Sequence, residues 1–104
     1  MTFIQIIEYD TARPEEVDKL MDEWVAATEG KRTATHEMHT MDRDHAGHYV
    51  DIVEFPSYEQ AMRNSEMPET QRISGKMQEL CSGEPRFLNL EVMRDEALAG
   101  SAAS

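Results

Sequence analysis

The histidines of this chain and the carboxylates near them are the residues best suited to bind a metal or to move a proton. His36 and His39 stand three residues apart, in a run whose Thr and Met content favours a strand. That spacing puts two side chains on one side of a helix but on opposite faces of a strand. We therefore expect these two histidines not to share a metal ion.

A second group of polar residues falls at the tip of a predicted hairpin. It contains Asp42, Asp44, His45 and His48. The group could approach a divalent ion, but it has no cysteine and no recognised ligand spacing. We interpret it as a solvated loop and predict no metal site.

Cross-strand pairing gives His39 a different chemistry. A turn centred on His45 places His39 opposite Asp51, and His36 opposite Glu54. A histidine held by a carboxylate keeps one tautomer and a higher basicity, as a general base requires. The alternative is a structural ion pair between His39 and Asp51 in a subunit interface.

Four other side chains complete the candidate site. Asn64 follows a helical turn just before a proline, where its amide could donate to an oxyanion or could simply be exposed. Trp24 belongs to the apolar stripe of the first helix, either as core or with its indole N–H directed at a ligand. We predict that Trp24, Tyr49 and Phe87 form aromatic walls of a substrate pocket. Cys81 has only one basic residue near it in the sequence, which predicts a buried, inert thiol.

The elements that would position these residues alternate between strand and helix patterns. β-branched and aromatic runs predict strands, Pro14 and Pro68 suit first helical turns, and Ser57 with Gln60 forms a capping box. Helix 14–30 is expected to end at Gly30, and its weak point is Arg13, which is a poor N-cap. The predicted strands cover residues 3–9, 33–42, 48–55 and 86–94, with helical segments at 14–30, from 57 onward and 68–83.

This order, β-α-β-β-α-β, predicts an α+β, ferredoxin-like fold, an antiparallel sheet with its helices on one face. Strand parity divides the sheet into an apolar face, which we expect to lie under the helices, and a mixed face. The apolar set is Ile4, Ile6, Met38, Val50, Ile52, Leu88, Leu90 and Val92. The mixed set includes His39, Tyr49, Asp51 and Phe87, and we expect it to face a second sheet across a partly wet space, in a homodimer.

Composition excludes several partners. The 104 residues include 21 Asp and Glu against 10 Lys and Arg, a net charge of −11, which would repel nucleic acid and anionic lipid. No apolar run approaches the roughly 20 residues of a membrane helix. The first strand begins at Phe3 without a basic leader, and there is one cysteine, so we expect no signal peptide and a cytoplasmic location.

The segment Val53–Ala61, with Ser65, Pro68 and the closing strand 87–92, resembles the dimeric α/β-barrel superfamily, nearest the antibiotic biosynthesis monooxygenase group. The resemblance covers residues 3–94 and implies two sheets paired into a barrel, with a cavity in each subunit. We therefore expect one domain over residues 1–96 and a flexible tail over 97–104. Several members carry a histidine in the second helical segment, where this chain has Arg63 and Asn64, so we expect neither haem nor another cofactor.

The function that this resemblance implies is cofactor-independent oxidation, or the related cyclisation, of a small phenolic or quinone-like molecule. An electron-rich phenol can reduce oxygen once it is deprotonated, so the site needs a base, an oxyanion donor and a dry wall. His39 oriented by Asp51 is the expected base, and Asn64 is the expected donor. The alternative is a dimeric barrel that binds a small ligand or serves only as structure.

Overall fold

The computed structural model describes residues 2–99 and contains four strands and three helices. In chain order these are β1 (Phe3–Asp10), α1 (Pro14–Ala27), β2 (His36–Met41), β3 (His48–Phe55), α2 (Tyr58–Glu66), α3 (Pro68–Leu80) and β4 (Arg86–Glu91). The predicted order of elements is confirmed, with the second helical segment divided into α2 and α3 at Met67 and Pro68.

The strands form one antiparallel sheet in the order β2-β3-β1-β4, the ferredoxin-like arrangement. The register of the β2–β3 hairpin is the predicted one, with His39 opposite Asp51 and His36 opposite Glu54. Asp51 in turn lies opposite Ile7 of β1, and Ile7 lies opposite Phe87 of β4. His39, Asp51, Ile7 and Phe87 therefore form one row across the sheet.

The prediction of which sheet face lies under the helices is wrong. The helices cover the mixed face, and the apolar set that includes Ile6, Ile52 and Leu90 lies on the opposite side, where Leu90 remains 42% exposed. The reason is the distribution of aromatic side chains. Phe3, Tyr9 and Phe55 all lie on the mixed face, and each is at most 3% exposed.

Those rings meet the helix layer towards the ends of the sheet and leave the middle of the mixed face uncovered. Phe3 and Phe55 pack with Ala61 of α2 in the main hydrophobic cluster, and the Phe3 ring also contacts the Tyr58 ring edge-on. Val17 of α1 is likewise almost completely buried. Burial of this kind supplies most of the stability of a domain of this size.

The boundaries of the helices follow local signals. Arg13 precedes α1 without any side-chain capping bond, as expected, whereas Ser57 accepts a hydrogen bond from the Gln60 amide at the start of α2. The turn after α1 passes through Gly30 at a φ of +79°, a conformation that favours glycine. Cys81 follows α3 as its C-cap. It is only half-buried, less than the expected buried thiol.

After β4 the chain continues to residue 99 without a further helix or strand. The last five residues of the predicted tail, 100–104, lie outside the described part of the chain. None of the helices within residues 2–99 is long and apolar enough to cross a membrane.

Candidate functional site

A cavity of about 550 Å³ lies between the helices and the uncovered middle of the mixed face. This volume suits a small organic ligand. Strand residues form its floor: Gln5, Ile7, Glu37, Asp51, Val53, Phe55 and Phe87. The helices form its roof with apolar residues that include Leu20, Met21, Trp24, Ile73 and Met77, and with polar ones that include Asn64, Thr70, Ser74 and Gln78.

Asp51 is the most deeply buried acid of the site. Its residue is 4% exposed, and Nδ1 of His39 lies 2.5 Å from its Oδ1. The Tyr9 hydroxyl donates to the same oxygen at 3.3 Å. Both contacts involve Oδ1, and Oδ2 has no hydrogen-bond partner within residues 2–99.

The electrostatics of Asp51 reflect competing causes. Burial raises the pKa of the carboxyl above its usual range, and the hydrogen bond from His39 opposes that rise. Burial and the nearby Asp51 carboxylate likewise raise the pKa of the Tyr9 phenol, which therefore stays a neutral donor. The site thus contains a carboxyl whose affinity for a proton exceeds that of an exposed aspartate.

His39 stands behind Asp51 and is not among the residues that line the cavity. Its Nε2 points towards Asp18 of α1, 3.7 Å away, and its side chain is 26% exposed. Tyr49 stacks on the His39 ring at a centroid distance of 6.0 Å and on Tyr9 at 5.9 Å, also outside the cavity lining. His39 and Tyr49, predicted as base and aromatic wall, therefore lie outside the cavity lining; His39 contacts Asp51, and Tyr49 packs on His39 and Tyr9.

Asn64 is buried at the end of α2 and lines the cavity. Its Oδ1 accepts a hydrogen bond from the Thr33 amide at 3.2 Å, which fixes the orientation of the side chain. No acceptor within residues 2–99 takes a hydrogen bond from its amide nitrogen. The amide N–H groups of the predicted donor are therefore unpaired within the described residues, and the alternative of surface exposure is wrong because Asn64 is buried.

Trp24 and Phe87 lie on opposite sides of the cavity, as roof and floor. The indole N–H of Trp24 donates to Oγ1 of Thr70 on α3 at 2.9 Å, so it connects two helices and is not free for a ligand. The Arg32 guanidinium lies over the Trp24 ring, 6.0 Å from its centroid. Trp24 therefore offers a ring face to the cavity and no donor.

Sequence reasoning missed Glu37. It lies two residues before His39, on the same face of β2, and lines the cavity without an ion-pair or hydrogen-bond partner within residues 2–99. Burial, and next the Asp51 carboxylate, raise the pKa of this carboxyl. The alternation of side chains along β2 already placed Glu37 on the same face as His39. Glu37 was not selected because that face was expected to meet a second sheet.

The histidines of the hairpin tip take no part in this site. His45 is 77% exposed, and His48 contacts Asp10 at 2.9 Å where the two inner strands β3 and β1 end. Within residues 2–99, no group of three or more His, Cys, Asp or Glu side chains is arranged to hold a metal ion.

Comparison with known proteins supports the fold. No family model matches the chain, and no curated protein matches its sequence. Solved structures do match. SnoaB, a cofactor-independent oxygenase from Streptomyces nogalater, superposes with a TM-score of 0.77 at 12% identity, over 90% of this chain and 95% of SnoaB.

Two further structures give the same picture. Rv0793 from Mycobacterium tuberculosis has a TM-score of 0.77 at 12% identity, over 93% of this chain and all of Rv0793. An antibiotic biosynthesis monooxygenase has a TM-score of 0.73 at 15% identity, over 90% of this chain and all of that protein. These likenesses confirm that the chain has the fold of the antibiotic biosynthesis monooxygenase group.

Proposed function

We propose that the protein is a cofactor-independent monooxygenase that acts on a small phenolic or quinol-like molecule inside the cavity. The observation that carries this proposal is that a buried carboxyl, Asp51, and an unpaired amide donor, Asn64, line one apolar-walled cavity. The likeness of the fold to SnoaB supports the same class of chemistry.

Asp51 is the proposed base. Its Oδ2 takes the proton of a phenolic hydroxyl, and the raised pKa of this carboxyl brings it closer to that of a phenol, which makes the transfer less unfavourable. His39, through the 2.5 Å contact with Oδ1, holds the carboxyl in place and compensates its charge. This assignment exchanges the roles first expected from the sequence, in which His39 was the base and Asp51 oriented it.

Asn64 and the aromatic walls provide the remaining requirements. The Asn64 amide donates to the phenolate oxygen, as an oxyanion donor must. Trp24 and Phe87 hold the ring and exclude water. The phenolate then transfers electrons to O₂. One oxygen atom becomes a carbonyl on the activated ring carbon. The other leaves as water with the one hydrogen that this carbon loses and the proton that the phenolic hydroxyl gave to Asp51.

The test is oxygen uptake with anthrone or a quinol under air. We expect Asp51→Asn to slow uptake by about 10²–10⁴-fold, the usual contribution of a general base. Asn64→Asp keeps the oxygen that accepts from Thr33 but removes the donor, and we expect a loss of about 10²–10³-fold. His45→Ala, at the exposed hairpin tip, is the matched control and should leave the rate unchanged.

Uptake no faster than in buffer, or uptake that the Asp51 and Asn64 variants leave unchanged, would contradict the proposal. Binding of anthrone without oxygen uptake would identify a ligand-binding protein. Conversion of a polyketide substrate without oxygen uptake would identify a cyclase that uses the same base.

A further inference from the structure

The ionisable side chains that line the cavity are all acidic. Two of the described residues that line it are acids, Glu37 and Asp51, and none is Lys, Arg or His. His39, even when protonated, contacts Asp51 and compensates one carboxylate only. Glu37 has no ion-pair partner within residues 2–99, so one negative charge at the cavity remains uncompensated.

The walls around this charge are aromatic. Trp24, Phe55 and Phe87 all line the cavity together with Glu37. Trp24 and Glu37 also line a smaller pocket of about 300 Å³ next to it, so the two residues stand at the boundary between the pockets. An acid beside exposed ring faces is the arrangement that recognises organic cations, because the carboxylate and the ring quadrupoles attract the same charge.

We propose that the cavity selects an aromatic ligand that carries a protonated amine, with Glu37 as the counter-ion of that amine, and that it disfavours carboxylate and phosphate ligands. This inference rests on the proposed function for the location of the ligand, and it names the charge class of the substrate. Arg32 lines the smaller pocket together with Glu37, but its guanidinium donates to the Val25 carbonyl and to Oγ1 of Thr28 and forms no ion pair with Glu37.

Binding of an ammonium group is expected to depend on pH. The charged and titratable groups around Glu37 are Asp51 on β3, His36 and His39 on β2, and Arg32 in the smaller pocket. α1 and α3 present only uncharged residues to the cavity. Because burial raises the pKa of Glu37, its carboxyl loses its charge at a higher pH than an exposed glutamate does, and the neutral carboxyl is a weaker partner for an ammonium group. Affinity for the amine should therefore increase from mildly acid to neutral pH.

The experiment compares three probes of nearly equal size by calorimetry: naphthylmethylamine, naphthylmethanol and naphthoate. We expect the amine to bind about tenfold more tightly than the alcohol, and naphthoate to bind most weakly. Glu37→Gln should reduce the preference for the amine to near unity while the alcohol still binds, which shows that the cavity is intact. Glu79→Gln removes one exposed acid from α3 and serves as the control for net charge.

Equal affinity for the alcohol and the amine, naphthoate as the tightest ligand, or a preference that Glu37→Gln leaves unchanged would overturn the inference. The assay measures no oxygen consumption, so its failure is distinct from failure of the oxygenase proposal. Conversely, absence of oxygen uptake would leave the charge preference to stand on the binding data.

Discussion

At the scale of single residues, Asp51 is the group on which the proposed site depends. Its burial favours the protonated form, while the hydrogen bonds from His39 and Tyr9 favour the ionised form. Burial prevails, so the folded state binds a proton to this carboxyl more tightly than the unfolded chain does. A buried acid of this kind lowers the stability of the ionised protein, and such a cost is typical of functional sites.

This linkage has a definite sign. Below the pKa of an unfolded aspartate, about 3.9, the higher proton affinity of native Asp51 adds to the free energy of unfolding, and that contribution is lost as pH rises through the native pKa. Asp51→Asn removes the effect. We expect the free energy of unfolding of the wild type, minus that of Asp51→Asn, to decrease as pH rises through this window. Urea unfolding at a series of pH values measures this difference. A difference that stays constant with pH would contradict the assignment.

At the scale of elements, side-chain contacts between α1 and α3 hold the roof of the cavity together. α1 and α3 are joined by the Trp24–Thr70 hydrogen bond and by an ion pair between Glu23 and Arg72 at 2.8 Å. Lys31, after α1, contacts Glu69 in the first turn of α3 at 2.5 Å. These links hold the helices together above a space that the sheet does not fill.

The short helix α2 depends on its cap. Ser57 accepts from the Gln60 amide at 3.2 Å, and α2 then carries Ala61 into the core and Asn64 to the cavity. We expect Ser57→Ala to lower the free energy of unfolding by about 1 kcal/mol, the usual value of an N-cap, measured by urea denaturation. Ser82→Ala, outside any helix, is the control, and an equal loss in both variants would argue against capping.

At the scale of the whole molecule, the sheet face opposite the helices leaves apolar side chains exposed, and we expect a partner to cover them. It carries Ile4, Ile6, Met38, Val50, Ile52, Leu88 and Leu90, with Met38 and Leu90 more than 40% exposed. Exposed apolar side chains grouped on one face are typical of an interaction site, and a second copy of the chain offers a matching face. A homodimer therefore remains our prediction, but through the opposite face of the sheet from the one expected.

Light scattering at micromolar concentration tests the dimer. The wild type should have twice the mass of the chain, and Leu90→Glu should shift it to the monomer, because the new carboxylate would be buried without a partner. Met41→Glu places the same charge on the helix-facing side of β2 and should leave the dimer intact. A monomeric wild type, or a Leu90→Glu variant that still dimerises, would contradict this prediction.

The amino-acid sequence by itself determined the elements and the hairpin register. Pro14, Gly30 and the Ser57 cap act within one or two turns of chain, so their effects can be read locally. The pairing of His39 with Asp51 followed from a turn centred on His45. The elements α1, α3, β2 and β4 were predicted too long, because residue propensities change gradually and do not mark the last residue of a helix or strand.

Only the tertiary structure decided which face of the sheet meets the helices. Both faces carry several large apolar residues, so periodicity alone does not decide which face meets the helices. Burial of Phe3, Tyr9 and Phe55 under the helix layer set the choice, and with it Asp51 and Glu37 came to line the cavity while His39 took its place behind them. Such a choice depends on the summed packing of residues far apart in the chain, which no local pattern contains.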